Sequence, residues 1–307
     1  MIVVAGEALV DLVIDTEGNV KAKLGGGPYN VARTIGRLGL PVSFLGAIST
    51  DRFGSRLFAQ LEADGVQADT IVRTDLPTTL AAAELDERGA ATYHFYFAGT
   101  SAPSLQQVPP AARAARALHA GTLGLVLEPM ATTLLHLMAQ LPDDTLLMLD
   151  PNCRTGVISD RAAYVQRVEA AYVRSDVVKV STDDALYLDP STEPMAYSRA
   201  LVQRGVQLVL LTDGANGTWV VTADGDELVP TERIEVADTI GAGDSFGGAF
   251  LAWWLHHGLT RGDLGNHTAA VEATSAAQEV SAITCQRVGA EPPYRRELSP
   301  RWQTQPA

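Results

Sequence analysis

Two cysteines, Cys153 and Cys285, are too few for a disulfide framework, so free thiols in a reducing compartment are the default. No apolar run approaches the roughly 20 residues that span a bilayer. The apolar start, MIVVAG, is short, carries no basic flank, and is interrupted by Glu7 and Asp11; it reads as a strand and not as a secretory leader, which favours a cytoplasmic protein. Positive charge is scarce: 23 Lys and Arg against 36 Asp and Glu give a net charge of −13, and no basic stripe exists. That argues against nucleic acid and membranes as partners. An anionic ligand has to be met by local amides, a metal ion or a few basic residues. Also missing are the GxxxxGK[ST] loop and the GxGxxG fingerprint, because Phe246 stands where the third glycine of the latter belongs.

What is present is a 307-residue chain with 46% hydrophobic and 19% charged residues, enough for a large core in one α/β domain or two smaller ones. Its most informative stretch is Asp238-Thr239-Ile240-Gly241-Ala242-Gly243-Asp244-Ser245-Phe246-Gly247-Gly248-Ala249-Phe250. A polar, glycine-rich turn feeds an apolar helix that ends at His256-His257-Gly258, with Gly258 as its C-terminal cap. The first amides of a helix lack intrahelical partners and carry partial positive charge. Small residues at Gly241, Ala242 and Gly243 let an anion approach them. Asp244 sits where they converge. A carboxylate there is expected to stay ionised and to accept a proton from a hydroxyl beside it. An anion hole with a base at its edge is what phosphoryl transfer to an alcohol requires. Taken alone, GAGD is equally compatible with an ordinary helix cap.

The remainder reads as follows. Met1–Gly6 is a buried strand, with Asp11 a turn residue at its end. Residues 12–24 form a partly exposed hairpin around Gly18-Asn19. Gly25-Gly26-Gly27-Pro28-Tyr29-Asn30 opens a helix over Val31–Leu38, with Asn30 available as its N-cap. Pro41–Ile48 is a second strand, followed by an amphipathic helix to about Asp64. Residues 78–97 alternate as an antiparallel pair about a Glu87-Arg88-Gly89 turn. From Ala117 a repeated βα pattern places strands at Ala117–Ala120, Leu146–Leu149, Val177–Val180 and Leu208–Leu211. Three polar groups follow these strands, where open α/β sheets bind ligands: Asp150-Pro151-Asn152-Cys153-Arg154, Ser181-Thr182-Asp183-Asp184 and Thr212-Asp213-Gly214-Ala215-Asn216-Gly217. Read locally, the first is a proline turn, the second a capped helix start and the third a hairpin. Glu291–Ala307, rich in Pro, Arg and Gln, reads as a surface tail.

Several of these strings together resemble the ribokinase-like (PfkB) carbohydrate kinases. DTIGAGDSFGGAF is similar to that family's C-terminal signature, and G-E-x-L-x-D with GGGPYNVARTIGRLG to its sugar-binding N-terminal region. DPNCR, the T-x-G-x-x-G run at Thr212 and the segment Ile283–Ala290 also resemble family motifs, so the matches span Ala5 to Ala290. The resemblance implies a ribokinase-like three-layer α/β core with a mainly parallel sheet, one kinase domain over 1–307, and a small antiparallel β lid from 12–24 and 78–97. It implies ATP and Mg²⁺, with Asp244 as base and Gly241, Ala242 and Gly243 at the transferring phosphoryl group. Asp11, Gly26, Gly27, Asn30, Asn152 and Arg154 would hold the sugar side, and Ser181, Thr212, Gly214 and Gly217 the ATP side. Ser181 and Asp184 depart from the family's N-x-x-E, whose acid places Mg²⁺ through water. In many members the turn at Asp238 and Ile240 binds a monovalent cation such as K⁺ through carbonyls. DPNCR and GGGPYN favour fructose as acceptor. The run Phe95-Tyr96-Phe97-Ala98-Gly99 lacks the Arg that many fructokinases and 2-keto-3-deoxygluconate kinases carry there, which counts most against the acidic sugar. Ribose stays open, as do a lid-mediated homodimer and a non-catalytic sugar or nucleotide sensor.

Overall fold

A strand covered on both faces needs apolar residues at nearly every position, and the chain's central strands read that way. In the computed structural model, which describes residues 1–85 and 91–303, β1 (Ile2–Ala5) is followed by β2 (Leu9–Ile14), β3 (Val20–Gly25) and α1 (Gly27–Arg37). Next come β4 (Val42–Leu45), β5 (Ala47–Ser49), α2 (Arg52–Ala63), β6 (Val72–Thr74), β7 (Leu80–Leu85) and β8 (Ala91–Tyr96). A short α3 (Pro110–Arg113) leads into β9 (Ala117–Gly121), α4 (Met130–Ala139), β10 (Leu146–Asp150), α5 (Arg161–Tyr172) and β11 (Val177–Ser181). Helices α6 (Thr182–Leu188) and α7 (Pro194–Gln203) precede β12 (Leu208–Thr212), β13 (Thr218–Thr222) and β14 (Gly225–Val229). Two long helices, α8 (Ala242–His256) and α9 (His267–Cys285), follow.

The large sheet runs β14-β13-β12-β11-β10-β9-β1-β4, parallel from β12 through β4 and antiparallel at β13 and β14. Successive side chains point to opposite faces. Ile2, Val4, Met148, Val177 and Leu210 join one core with residues of α1, α8 and α9, whereas Val3, Ala5, Leu147, Val178 and Leu211 join another with residues of α4, α5 and α7. The result is the expected three-layer sandwich. A separate four-stranded sheet, β3-β2-β7-β8, arises from the two stretches read as hairpins; within it β2 and β7 are parallel. The expected Glu87-Arg88-Gly89 turn lies outside the described residues.

Three expectations are corrected. Pro41–Ile48 is not one strand: it breaks at Gly46, and β5 pairs with β6 in a two-stranded sheet. A side chain on Gly46 would collide with the Phe44 ring and the Gly6 carbonyl, so the break is a point of close packing. Asp11 lies inside β2, opposite Lys23, and not in a turn. Finally, Glu291–Ala307 is no free surface tail as far as Gln303. Trp302 is fully buried in the α8/α9 core, and Ser299 donates from its amide and hydroxyl to Glu279 at 2.6 and 2.8 Å. One large buried aromatic is enough to dock a segment whose average composition is polar.

Candidate active site

The N-terminus of α8 is the focus. Its cap, Gly241, has φ 78°, and a Cβ there would lie 2.5 Å from that of Ala290, so backbone and packing both call for glycine. Ser245 N donates to Gly241 O at 2.8 Å, starting the helix. The amides of Gly241, Gly243 and Asp244 have no acceptor among the described residues, while that of Ala242 donates to Thr239 O at 3.3 Å. The expected set of donors is therefore shifted: Ala242 closes the turn and Asp244's own amide joins the open group. Asp244 is buried, and burial pushes its carboxyl above the ordinary range, against the pull of Asn30, Arg154 and Lys179. Burial thus works against the ionised form expected from the sequence, while the Asn30 bond and the two cations work for it.

Helix α1 faces this point. Its cap is Gly26, not Asn30, whose amide already donates to Gly26 O at 3.0 Å. The Asn30 side chain is freed for another task. Its Nδ2 donates to Asp244 Oδ2 at 2.9 Å, while its Oδ1 is buried without a partner among the described residues. The glycine loop is pinned from below by Glu7. Gly27 N donates to Glu7 Oε1 at 3.1 Å, and Thr122 Oγ1 lies 2.7 Å from both Glu7 oxygens. A Cβ on Gly27 would lie 3.3 Å from Asp244 Oδ1, and one on Gly25 would lie 2.3 Å from Asp11 Oδ2, so Asp11, the loop and Asp244 form one cluster. Burial pushes Asp11 to about 6, Arg154 opposing and Asp244 adding to the rise.

Burial likewise pushes Glu7 up to about 7, against its bonds from Thr122 and Gly27. The folded chain therefore holds a proton that the unfolded chain releases near the ordinary glutamate value. Stability falls as pH rises from about 4.5 to 7 and levels off above. Glu7→Gln removes this contribution, so its melting temperature declines less than that of the wild type between pH 5 and pH 8. Parallel melting curves would assign the slope to other groups.

The C-terminal ends of the parallel strands supply the remaining wall. Asn152 has left-handed backbone at φ 38°, a conformation asparagine tolerates better than most residues. It turns the chain toward exposed Arg154, which makes no ion pair among the described residues and whose charge favours ionised Asp11 and Asp244. Ser181 and Asp184 form a capping box: Ser181 N and Oγ donate to Asp184 Oδ2 at 3.1 and 2.5 Å, and Asp184 N donates back to Ser181 Oγ at 3.0 Å. Asp184 Oδ1 accepts from Cys153 N at 2.7 Å, tying the two loops together. Thr212 is the register partner of Ser181 on β12. Gly214 starts a short 3₁₀ turn with open space around it, whereas a Cβ on Gly217 would lie 2.4 Å from Val229 O. Asp238 braces the turn before α8, accepting from Ile240 N at 3.0 Å and Gly289 N at 2.8 Å.

Reading the sequence alone placed Glu7 and Asp150 inside its motifs without giving either a role, and passed over Lys179. Lys179 Nζ donates to Asp150 Oδ2 at 2.7 Å with both side chains buried. Burial works against the lysine's charge, but Asp150 and neighbouring acids more than offset it, and burial pushes Asp150 to about 6 against Lys179. A lysine inside the apolar run Val177–Val180 was the available signal. A cleft of about 840 Å³ opens between the small sheet, the glycine loop and the turn before α8, lined in part by Asp11, Asn30, Tyr93, Asp238 and Ala290. Among the described residues no three His, Cys, Asp or Glu side chains gather to hold a metal, and no helix is long and apolar enough to cross a membrane.

Comparison with known proteins agrees with this geometry. A curated fructokinase of Rhizobium leguminosarum bv. trifolii is 34% identical over 258 residues, covering 82% of this chain and 79% of its own length. A crystal structure of fructokinase with bound ATP from Xylella fastidiosa superposes with TM-score 0.88 at 28% identity, covering 94% of this chain and 93% of that one. A Vibrio cholerae O395 fructokinase structure in fructose-, ADP- and calcium-bound form gives 0.83 at 25% identity, covering 94% of each chain. The model of the pfkB family carbohydrate kinases matches residues 1–296, and the chain belongs to that family.

Proposed function

We propose that this chain transfers the terminal phosphoryl group of ATP to a hydroxyl of fructose. The observation that carries the reading is the pair Asn30–Asp244 at the open start of α8. Asn30 holds the carboxylate with its Nδ2 and keeps an unpartnered buried Oδ1, while Asp11 stands across the glycine loop. These acceptors suit the hydroxyls of a neutral sugar. Asp244 takes the hydroxyl proton as the sugar oxygen bonds to the γ-phosphorus. The bond from that phosphorus to the bridging oxygen of ADP breaks, and ADP leaves. The amides of Gly241, Gly243 and Asp244 face the charge that develops on the transferring group. Asn152 and Arg154 complete the sugar side; Ser181, Thr212, Gly214 and Gly217 line the nucleotide side. The sheet β3-β2-β7-β8 acts as the lid of a single kinase domain, excluding water.

The residues fit the expected ions in distinct ways. Asp184 has both oxygens engaged in hydrogen bonds, so it suits an outer contact to Mg²⁺ through water and not direct ligation. Mg²⁺, when bound with ATP, neutralises phosphate charge. The carbonyls of Asp238 and Ile240 accept no hydrogen bond among the described residues, which suits K⁺. Fructose is supported by the relatives' identities. An acidic sugar such as 2-keto-3-deoxygluconate is disfavoured by Asp11 and Asp244 and by the Phe95–Gly99 run, which offers no cation.

The test is ADP release from Mg-ATP with fructose, ribose and 2-keto-3-deoxygluconate, with and without KCl. Fructose is expected to give a kcat/KM at least about tenfold above the others, with K⁺ raising the rate. A higher value for another sugar reassigns the acceptor, no turnover with any sugar removes the kinase reading, and indifference to KCl removes the cation.

A further inference from the structure

We propose that Lys179 is a positioning residue for phosphoryl transfer: its buried ammonium, anchored by Asp150 beneath the first turn of α8, adds fixed positive potential where the transferring group gathers negative charge. The inference rests on the phosphoryl-transfer reading of this site but not on fructose as acceptor.

Three features of the packing carry it. The Lys179 stem lies along α8. A Cβ on Gly243 would stand 3.2 Å from Nζ and 3.6 Å from Cε, and one on Gly247 would stand 3.8 Å from Cδ. Gly243 and Gly247 are four residues apart and share one helix face, so the two glycines together make the channel that brings the ammonium under the helix start. Second, by its closeness to Gly243 the ammonium sits at the first turn of α8, the positive end of the helix dipole, where the Gly243 and Asp244 amides have no acceptor among the described residues. Asp150, with Asp184 and Asp244 nearby, keeps the lysine charged there against burial. Third, Asp150 Oδ2 accepts from Nζ, while its buried Oδ1 has no hydrogen-bond partner among the described residues. The pair fixes the lysine in place from the strand side and leaves two of its three N–H donors without a protein acceptor among the described residues. The surrounding layer is buried: His119, on β9 below Gly247, has both ring nitrogens buried with no partner among the described residues, and burial together with Lys179 holds it neutral. A charge in such a layer is weakly screened and acts at longer range than in water.

The experiment compares charge-neutral double variants with the wild type. Lys179→Met/Asp150→Leu replaces the ion pair by apolar side chains, a change buried pairs often tolerate, and Lys179→Gln/Asp150→Asn keeps polar partners should the first not fold. Binding of ADP alone, and of ADP with tetrafluoroaluminate as a planar phosphoryl mimic, is measured by calorimetry in magnesium buffer. The expected result is a loss of roughly 10–100-fold in affinity for the tetrafluoroaluminate complex, with ADP alone within about threefold and Lys179→Arg retaining most of the selectivity. A folded double variant that binds the tetrafluoroaluminate complex like the wild type overturns the proposal. Equal loss of both ligands overturns it too, because that marks a merely structural role. Turnover of fructose by the wild type is read separately, so failure of the acceptor assignment and failure of this inference are distinguishable.

Discussion

Asp244→Asn lowers kcat by roughly 10²–10⁴-fold and leaves the melting temperature unchanged or higher. The two halves of this expectation come from the same environment. Asp244 is buried, and desolvation raises its pKa, so in the unliganded fold its charge is held at a cost. Asparagine has nearly the same shape, keeps an oxygen for the Asn30 Nδ2 bond, and carries no charge to desolvate. Stability is therefore not what the carboxylate supplies. In the proposed reaction it supplies a base whose proton affinity is raised by burial, and an amide cannot replace that. The sign of the pH dependence follows. The wild type needs Asp244 ionised, so kcat/KM falls as pH drops through a value above the ordinary aspartate range. The residual rate of Asp244→Asn lacks that limb. A steady-state pH profile with a thermal melt on the same samples checks both. Turnover equal to the wild type would remove Asp244 from its role.

How much of this was legible beforehand depended on how local each feature is. The strands β9 to β12 were readable because a strand buried on both faces is apolar at nearly every position and ends in polar residues. The start of α8 was readable because an open, glycine-capped helix needs small residues at fixed offsets from its first acid. Asn30 was half legible. Its presence in the glycine loop was clear, but its bond to Asp244, 214 positions away, is a product of the α1–α8 packing and has no local signature. The capping role of Asp184 was visible from Ser181 three residues earlier. Trp302 shows the opposite case. Composition averages over a segment, whereas docking depends on a single side chain finding a pocket between distant helices. Glu7 and Lys179 were visible as charged residues in apolar surroundings, yet only the fold says what each one touches.

Asp64→Ala is expected to destabilise the fold by about 3–5 kcal/mol, a drop of roughly 5–10 °C in Tm, although Asp64 lies outside the site. Its carboxylate is fully buried and receives Arg33 Nε at 2.7 Å, Arg37 Nε at 2.8 Å and Gln60 Nε2 at 3.1 Å. Removing it leaves two buried guanidinium groups without their main counter-charge, because the remaining acid, Glu291, is half exposed. Burial alone would raise the Asp64 carboxyl; Arg37 and Arg33 outweigh burial and hold it below the ordinary range. The stability it contributes is thus fully present above pH 4 and lost as pH falls through the depressed value, and Asp64→Ala should narrow its deficit in strong acid. Glu297→Ala provides the contrast: its pair with Arg287 is solvent-exposed, and its loss should cost about 0–1 kcal/mol. The functional consequence comes through Arg33 and Arg37. Their outer nitrogens hold Ala290 O at 2.9 Å and Pro292 O at 2.7 Å, and Ala290 packs directly against Gly241 at the start of α8. Asp64 therefore anchors, through two arginines of the helix that carries Asn30, the segment that shapes the amide pole beside Asp244. Loosening it should lower kcat more than it raises KM for ATP, since it shifts the amides that face the transferring phosphoryl group while the Asn30–Asp244 bond stays intact. A rise in KM with kcat unchanged would mean that the Ala290 segment serves ground-state binding alone and leaves the amides at the start of α8 in place.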